Sequence, residues 1–381
     1  MKRIERRDFL KWSCGAGLGG AGSILASRGW RSDVSQSSDS PAYSVVPVVG
    51  DGKWIWTRPP EDESGYLEPR SYSLEVGIEL EGTGNAGEVM STTTVPVAYP
   101  EQKIDSVQIK TQGCEAEIRQ LTPTAAQLFL ITPEIAKGQI IRAVAHYKLT
   151  LFKQYFAYER DQFPEKQEIP ADVRRGFLQD SPGIQTKIRE VRELAASLAK
   201  QAGKHPWDLA KAFADWVPRN IKPQLGSYTS VSAALETKRG DCEEMAGVFV
   251  ALCRAVNIPA RLVWIPNHTW AEFFLVDGDK QGHWIPAHTA CYSWFGWNGV
   301  HELVLQKGDR VQIPERRRQV RLMDDWTRAT GGMAPRARYT AELTPLAASE
   351  GADAGPGARS KDERGEWKVV GAHPLDHYVR R

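Results

Sequence analysis

The stretch Arg239-Gly240-Asp241-Cys242-Glu243-Glu244-Met245 sets one thiol among acidic residues, directly ahead of an apolar run. Within that run Met245, Phe249, Leu252 and Val256 recur at helical spacing, so a buried helix is expected to begin near Cys242. Asp241 and Glu244 stand three apart, the pattern of a capping box with Asp241 as N-cap and Cys242 at the first helical position. Asn257 before Ile258-Pro259 should end the helix, because Asn suits the left-handed position and proline cannot continue. A helix start offers unpaired N–H groups and the positive end of the dipole. Both favour the thiolate, which is the nucleophile, and both can hold an oxyanion on an attacked carbonyl. Asp241, Glu243 and Glu244 oppose ionisation, so a basic partner is needed.

Two segments downstream can supply it. Residues 260–266 and 268–276 read as consecutive strands rich in aromatic and β-branched residues, with His268 opening the second. Asp277-Gly278-Asp279 starts a turn and residues 283–288 return. A hairpin turning near Gly278 is expected to bring His288 roughly opposite His268. Thiol, imidazole and a third polar group then follow one another on helix, strand and strand.

Residues 240–246, residues 249–261 and His268-Thr269-Trp270-Ala271-Glu272 together resemble the transglutaminase-like core of the papain-like thiol enzymes. The resemblance covers about residues 184–300. It implies Cys242 as nucleophile and His268 as general base, then general acid, in acyl transfer or hydrolysis at an amide or peptide bond through a thioester. The His lies only 26 residues after the Cys, which sets the chain apart from the papain family proper. In one respect it departs from the pattern. Four positions after a Trp on the strand that follows, the family usually places Asp; counting from Trp284, that position is His288. A neutral imidazole can fix the tautomer of His268 but offers no countercharge, so either His288 is a weaker orienting residue or a carboxylate such as Glu272 or Asp277 takes the role.

Tyr228 and Gln224 precede the nucleophile, where such enzymes often supply a further oxyanion donor. Glu272 alternates onto the strand face of His268 and is a candidate support or a solvated carboxylate. Trp270, Trp284 and Trp294 either pack the small sheet or line an aromatic groove for substrate. Cys253 is expected in the core, and Arg254 and Arg261 in buried salt bridges. Two other readings compete with the enzyme: a catalytically degenerate binding module on the same scaffold, and zinc held by Cys242, His268 and His288, whose spacing matches no known zinc motif. The acyl-transfer reading calls for no metal and no cofactor.

The elements that must position these residues form an α+β fold. Short alternating stretches over residues 46–160 read as a β-sandwich-like domain, with strand patterns at 71–80, 107–110, 127–131 and 140–151. Residues 170–325 read as the transglutaminase-like domain, helices packed on a small antiparallel sheet. Its helices include one over 184–201, with Ile188, Val191, Leu194 and Leu198 on one face, and one over 207–216. After Leu305 the chain turns basic and polar, and residues 326–381 read as a flexible tail. At the other end, Glu5-Arg6-Arg7-Asp8-Phe9-Leu10-Lys11 and the glycine-rich run to Ala26 resemble a twin-arginine export signal over residues 1–30, followed by a linker over 31–45.

That signal predicts a periplasmic or extracellular protein, and its apolar run is too short and glycine-rich to span a bilayer stably. Four cysteines remain after it, too few for a disulfide framework in so long a chain, although a pairing such as Cys114 with Cys291 stays open. A net charge of +2 over 381 residues gives no field that argues for nucleic acid. The expected partner is a protein or peptide substrate, with the cell envelope as its setting.

Overall fold

The computed structural model describes residue 56 and residues 58–224, 228–266, 268–290 and 294–346, with backbone alone at 360–361 and 367–368. The expected export signal and linker lie outside these residues, as does Cys291.

Six strands come first: β1 (Gly65–Glu81), β2 (Val89–Val95), β3 (Gln102–Gln112), β4 (Glu115–Thr122), β5 (Ala125–Thr132) and β6 (Ile140–Tyr155). Alternation drives them. In β1, Tyr72, Leu74, Val76, Ile78 and Leu80 are buried while Glu75 stays exposed, the period of two that one covered sheet face imposes. Each such aliphatic side chain contributes about 1.5–3 kcal/mol on leaving water. Gly77 is required by close approach, since a Cβ there would sit 2.6 Å from Thr340 Oγ1.

The helices follow: α1 (Ala171–Phe177), α2 (Arg189–Ala202), α3 (Pro206–Asn220), α4 (Val231–Thr237) and α5 (Cys242–Ala255). Two-residue strands β7 (Lys222–Pro223) and β8 (Arg239–Gly240) pair in parallel just before α5. Then come β9 (Ala260–Ile265), β10 (His268–Val276) and β11 (Gly282–Ala287), followed by β12 (Trp297–Asn298), β13 (Gln306–Lys307), β14 (Val311–Ile313), β15 (Arg318–Val320), β16 (Trp326–Ala329) and β17 (Arg336–Pro345).

The result is strand-rich, with open antiparallel sheets and a cluster of helices. One sheet runs β12-β6-β1-β17, with β3 also on β6; the other runs β11-β10-β9-β13-β5-β2-β16, with β4 also on β5. Gln306 of β13 pairs with Ala125 of β5 and with Trp264 of β9, so the second sheet passes unbroken from the N-terminal strands into the segment that carries His268. The division expected near residue 160 is therefore no edge of this sheet.

The tail expectation needs correcting as well. β16 pairs with β2, and β17 pairs with β1 from Tyr72–Pro345 to Glu81–Arg336, sending Ala341 and Leu343 into the core between the two sheets. The polar composition of residues 336–345 hid this because only every second side chain of an edge strand turns inward.

A second core lies between the helices and β9, β10 and β11. Val191, Phe213, Phe249, Ala271, Phe273 and Ile285 meet there. Nearly all of α5 is buried, and a helix covered on every side must pair each charge it carries. Arg254 does so against Asp309 at 2.8 Å. The helix ends as anticipated, with Asn257 in the left-handed region at φ 64°. Among the described residues no helix is long and apolar enough to cross a membrane.

Candidate active site

Asp241 caps α5, its carboxylate accepting from the backbone N–H of Glu243 at 2.8 Å and of Glu244 at 3.4 Å. Glu244 reaches back to accept from the Asp241 N–H at 3.0 Å, completing the box, and accepts from the Thr229 N–H at 2.7 Å. Gly240 permits that return: a Cβ there would lie 2.5 Å from the Glu244 Cβ. Behind the same turn Arg321 donates from Nε to Glu243 at 2.6 Å, donates to the Pro182 carbonyl, and lays its guanidinium 3.4 Å over the Tyr228 ring. The first turn of α5 is thus held from three sides.

Cys242 occupies the first helical position and is 1% exposed. Its sulfur receives the backbone N–H of Thr269, the residue after His268 on β10. Burial pushes the thiol well above its ordinary range, and Asp241 adds to the rise, against the Thr269 N–H. Asp241 is itself pushed up to about 8, by burial and then by Glu244. Desolvation is thus the main reason the thiol stays protonated, with Asp241 the second.

Burial alone lowers His268 to about 4, and neither of its ring nitrogens has a hydrogen-bond partner among the described residues. Thiol and imidazole are therefore both neutral at rest, with no hydrogen bond between them. Burial thus adds to the opposition expected from the acidic neighbours and outweighs the helix start. A helix terminus stabilises a charge by about 0.3–2 kcal/mol, whereas an ion taken out of water costs several kcal/mol.

His288 ends the return from β11. The register pairs Ala271 with Ala287, which aligns His288 with Trp270 rather than with His268. The five residues between Val276 and Gly282 set that offset, closed by the Asp277 N–H donating to the Gln281 carbonyl. The His288 ring stacks on Trp270 at 4.7 Å between centroids and meets Trp294 edge-on at 5.2 Å. It lies 6.5 Å from the His268 ring and 21° from parallel to it. Burial and the neighbouring His268 drive its pKa well down.

The other expected residues divide. Trp294 and Trp270 belong to this aromatic stack, Trp270 fully buried as packing rather than as a groove wall. Trp284 sits elsewhere, with Arg261 3.8 Å over its ring and Phe177 against its edge. Glu272 is bound by Arg261 and by Lys307 Nζ at 2.6 Å; Asp277 accepts from His283 at 2.7 Å near the turn. Neither carboxylate therefore orients His268. Tyr228 gives its hydroxyl proton to the Gly183 carbonyl at 2.8 Å. Gln224 runs beside Gly240, but its side chain is exposed and accepts from Arg239 at 2.9 Å. The Tyr228 hydroxyl proton is thus committed to Gly183, whereas the Gln224 bond uses its amide oxygen and not its N–H groups. Among the described residues no three His, Cys, Asp or Glu side chains, Cys242, His268 and His288 included, come together to hold a metal ion.

Two residues near the site escaped the sequence reading. Arg321 lies in a basic run that gives no hint of a partner 78 residues upstream. Glu302 is a buried carboxyl beside Trp270, hydrogen-bonded by Asn298 at 2.9 Å and pushed up to about 7 by burial. Neither position shows a motif or periodicity.

Residues 192–289, which carry Cys242, His268 and His288, match the family model of the transglutaminase-like superfamily. The peptide-N(4)-(N-acetyl-beta-glucosaminyl)asparagine amidase of Yarrowia lipolytica is 29% identical over 76 residues, which cover 20% of this chain and 20% of that protein. The amidase of the same name from Gallus gallus is 36% identical over 66 residues, covering 17% and 10%. The chain spans at most about a fifth of the length of these relatives. Among solved structures, a candidate cysteine protease from Cytophaga hutchinsonii superposes with a TM-score of 0.51 at 16% identity, over 74% of this chain and 93% of that one. That likeness is one of fold. The chain carries a transglutaminase-like core, set on a continuous sheet that extends well beyond the matched span.

Proposed function

We propose that this protein is a cysteine enzyme that opens amide bonds through a thioester on Cys242, with His268 as base and His288 holding the base in place. The observation that carries the reading is the seat of the Cys242 sulfur, at a helix start against the Thr269 N–H, one residue from His268. The match over residues 192–289 and the amidase names of the relatives support the same class.

Because thiol and imidazole both rest neutral, proton transfer accompanies attack. The Cys242 sulfur bonds to the substrate carbonyl carbon as its proton passes to His268, and charge collects on the carbonyl oxygen. The Cys242 backbone N–H, at the positive end of α5, is the donor we assign to that oxygen. Collapse breaks the C–N bond, and the imidazolium gives its proton to the departing amine. Water, or a second amine, then attacks the thioester with His268 again as base. Water makes the protein a peptidase or amidase and an amine makes it a cross-linking enzyme. A peptide or protein of the cell envelope is the proposed substrate, reached after export by the N-terminal signal. Labelling with a thiol-directed peptide probe, with the adduct mapped by mass spectrometry, tests the nucleophile. Replacing Arg6 and Arg7 by Lys and fractionating cells tests export, and unchanged secretion would refute it.

A second reading is favoured by one observation, the 1% exposure of Cys242. A degenerate scaffold that only binds would keep its thiol covered. It predicts peptide binding that survives Cys242→Ala with no adduct at Cys242 under any native condition.

A further inference from the structure

β14 and β15 form a small hairpin whose turn, Pro314-Glu315-Arg316-Arg317, faces β16 across an open cleft of about 1110 Å³. Arg316, Arg317, Arg318 and Arg328 line it together with Trp326 and Tyr339. Of its acidic members, Glu315 accepts through Oε1 from Arg119 at 3.1 Å and Gln127 at 3.0 Å, its Oε2 being without a partner among the described residues, and Asp325 accepts from Thr93 at 2.6 Å. Arg317, Arg318 and Arg328 have no ion-pair partner among the described residues. On neighbouring β17, by contrast, Arg336 pairs with Glu81 and Arg338 with Glu79.

The turn also holds a buried cation with unmet hydrogen-bonding capacity. The Arg316 side chain is only 7% exposed; Asp324 holds its Nη2, while Nε and Nη1 have no hydrogen-bond partner among the described residues. The Trp326 ring lies 5.8 Å from its guanidinium carbon. Burying guanidinium N–H groups without acceptors is costly, and an oxyanion would satisfy two at once in the planar fork that arginine presents.

We propose that this cleft is a binding site for a soluble ligand bearing two or more phosphate groups, separate from the site around Cys242. Arg316 forms the inner anchor, and Arg317, Arg318 and Arg328 take the outer groups. A single phosphate fills little of that volume, and the four arginines are spread over a turn and two strands. The inference does not rest on the enzyme reading.

Titration calorimetry of the full chain with tripolyphosphate tests it. Binding is expected to weaken by about tenfold or more in Arg318→Gln/Arg328→Gln, whose exposed positions leave folding intact, and to fall steeply between about 50 and 200 mM salt. A matched pair of exposed changes elsewhere, Lys110→Gln/Lys137→Gln, should leave it unchanged, and so should Cys242→Ala. Arg316→Gln should weaken it further while circular dichroism stays native. Equal affinity in the Arg318/Arg328 variant and the lysine control would overturn the site. Orthophosphate or a short poly-glutamate binding as tightly as tripolyphosphate would overturn the ligand class.

Discussion

The rings of His268 and His288 lie nearly parallel, 6.5 Å apart, with Trp270 stacked on the far one. Two imidazoles in so dry a place both rest neutral, and His268 further discourages His288 from taking a proton. His288 can thus hold its neighbour by shape and packing, but it cannot stabilise the imidazolium that attack creates.

His288→Asp should change this. A carboxylate at that position attracts a proton to His268, so the acid limb of kcat/KM is expected to move up by about one unit or more, with kcat raised. His288→Ala should lower activity less than loss of Cys242 does. The check is a pair of pH–rate profiles; an acid limb that stays put in His288→Asp would mean position 288 does not act on His268.

The wild-type profile follows from the direction of the His268 shift. Lowered to about 4 by burial, His268 stays unprotonated, and able to accept the thiol proton, down to that pH. Activity on a small amide substrate should therefore hold from neutral pH to about pH 5 and fall below about pH 4. A limb near the ordinary histidine range would show that the site is wetter in turnover than at rest.

Glu302 gives a stability prediction with a definite sign. Its carboxyl is raised from 4.5 to about 7 in the folded chain. The folded state thus holds the proton more tightly than the unfolded one, and stability is lost as pH rises through that window. Glu302→Gln should gain up to about 3 kcal/mol near pH 8 and almost nothing near pH 4. Urea denaturation at the two pH values reads this directly, and equal gains at both would contradict it.

Arg321→Met leaves Glu243 buried without its cation, which should cost about 3–5 kcal/mol. Replacing both residues by Met should recover most of that loss. If the double variant is as unstable as the single one, Arg321 acts through its bond to the Pro182 carbonyl or its contact with Tyr228 instead.

The core around the thiol was readable because its signals are local. The capping box of Asp241 and Glu244, the apolar spacing behind it and the Asn257 stop all depend on residues a turn or two apart. Long-range relations were not readable in this way. The two-residue offset that aligns His288 with Trp270 depends on a five-residue turn. The return of β17 to β1 joins segments more than 250 residues apart, and its alternating polar face resembles a tail. The acidic opposition to ionising Cys242 was legible, but the burial that exceeds it was not, because sequence shows neighbours along the chain and not the packing around them. The engagements of Tyr228, Gln224 and Glu272 are likewise set by tertiary contacts with Gly183, Arg239 and Lys307.

The rate and position of thiol modification bear most directly on the chemistry proposed for Cys242 and His268. The native protein, treated with a thiol-directed peptide probe, should carry its adduct at Cys242 in preference to Cys114, Cys253 or Cys291. Its rate should climb toward alkaline pH and drop by about a hundredfold in His268→Gln. Modification of other cysteines with Cys242 untouched, or a rate at Cys242 indifferent to His268, would contradict it.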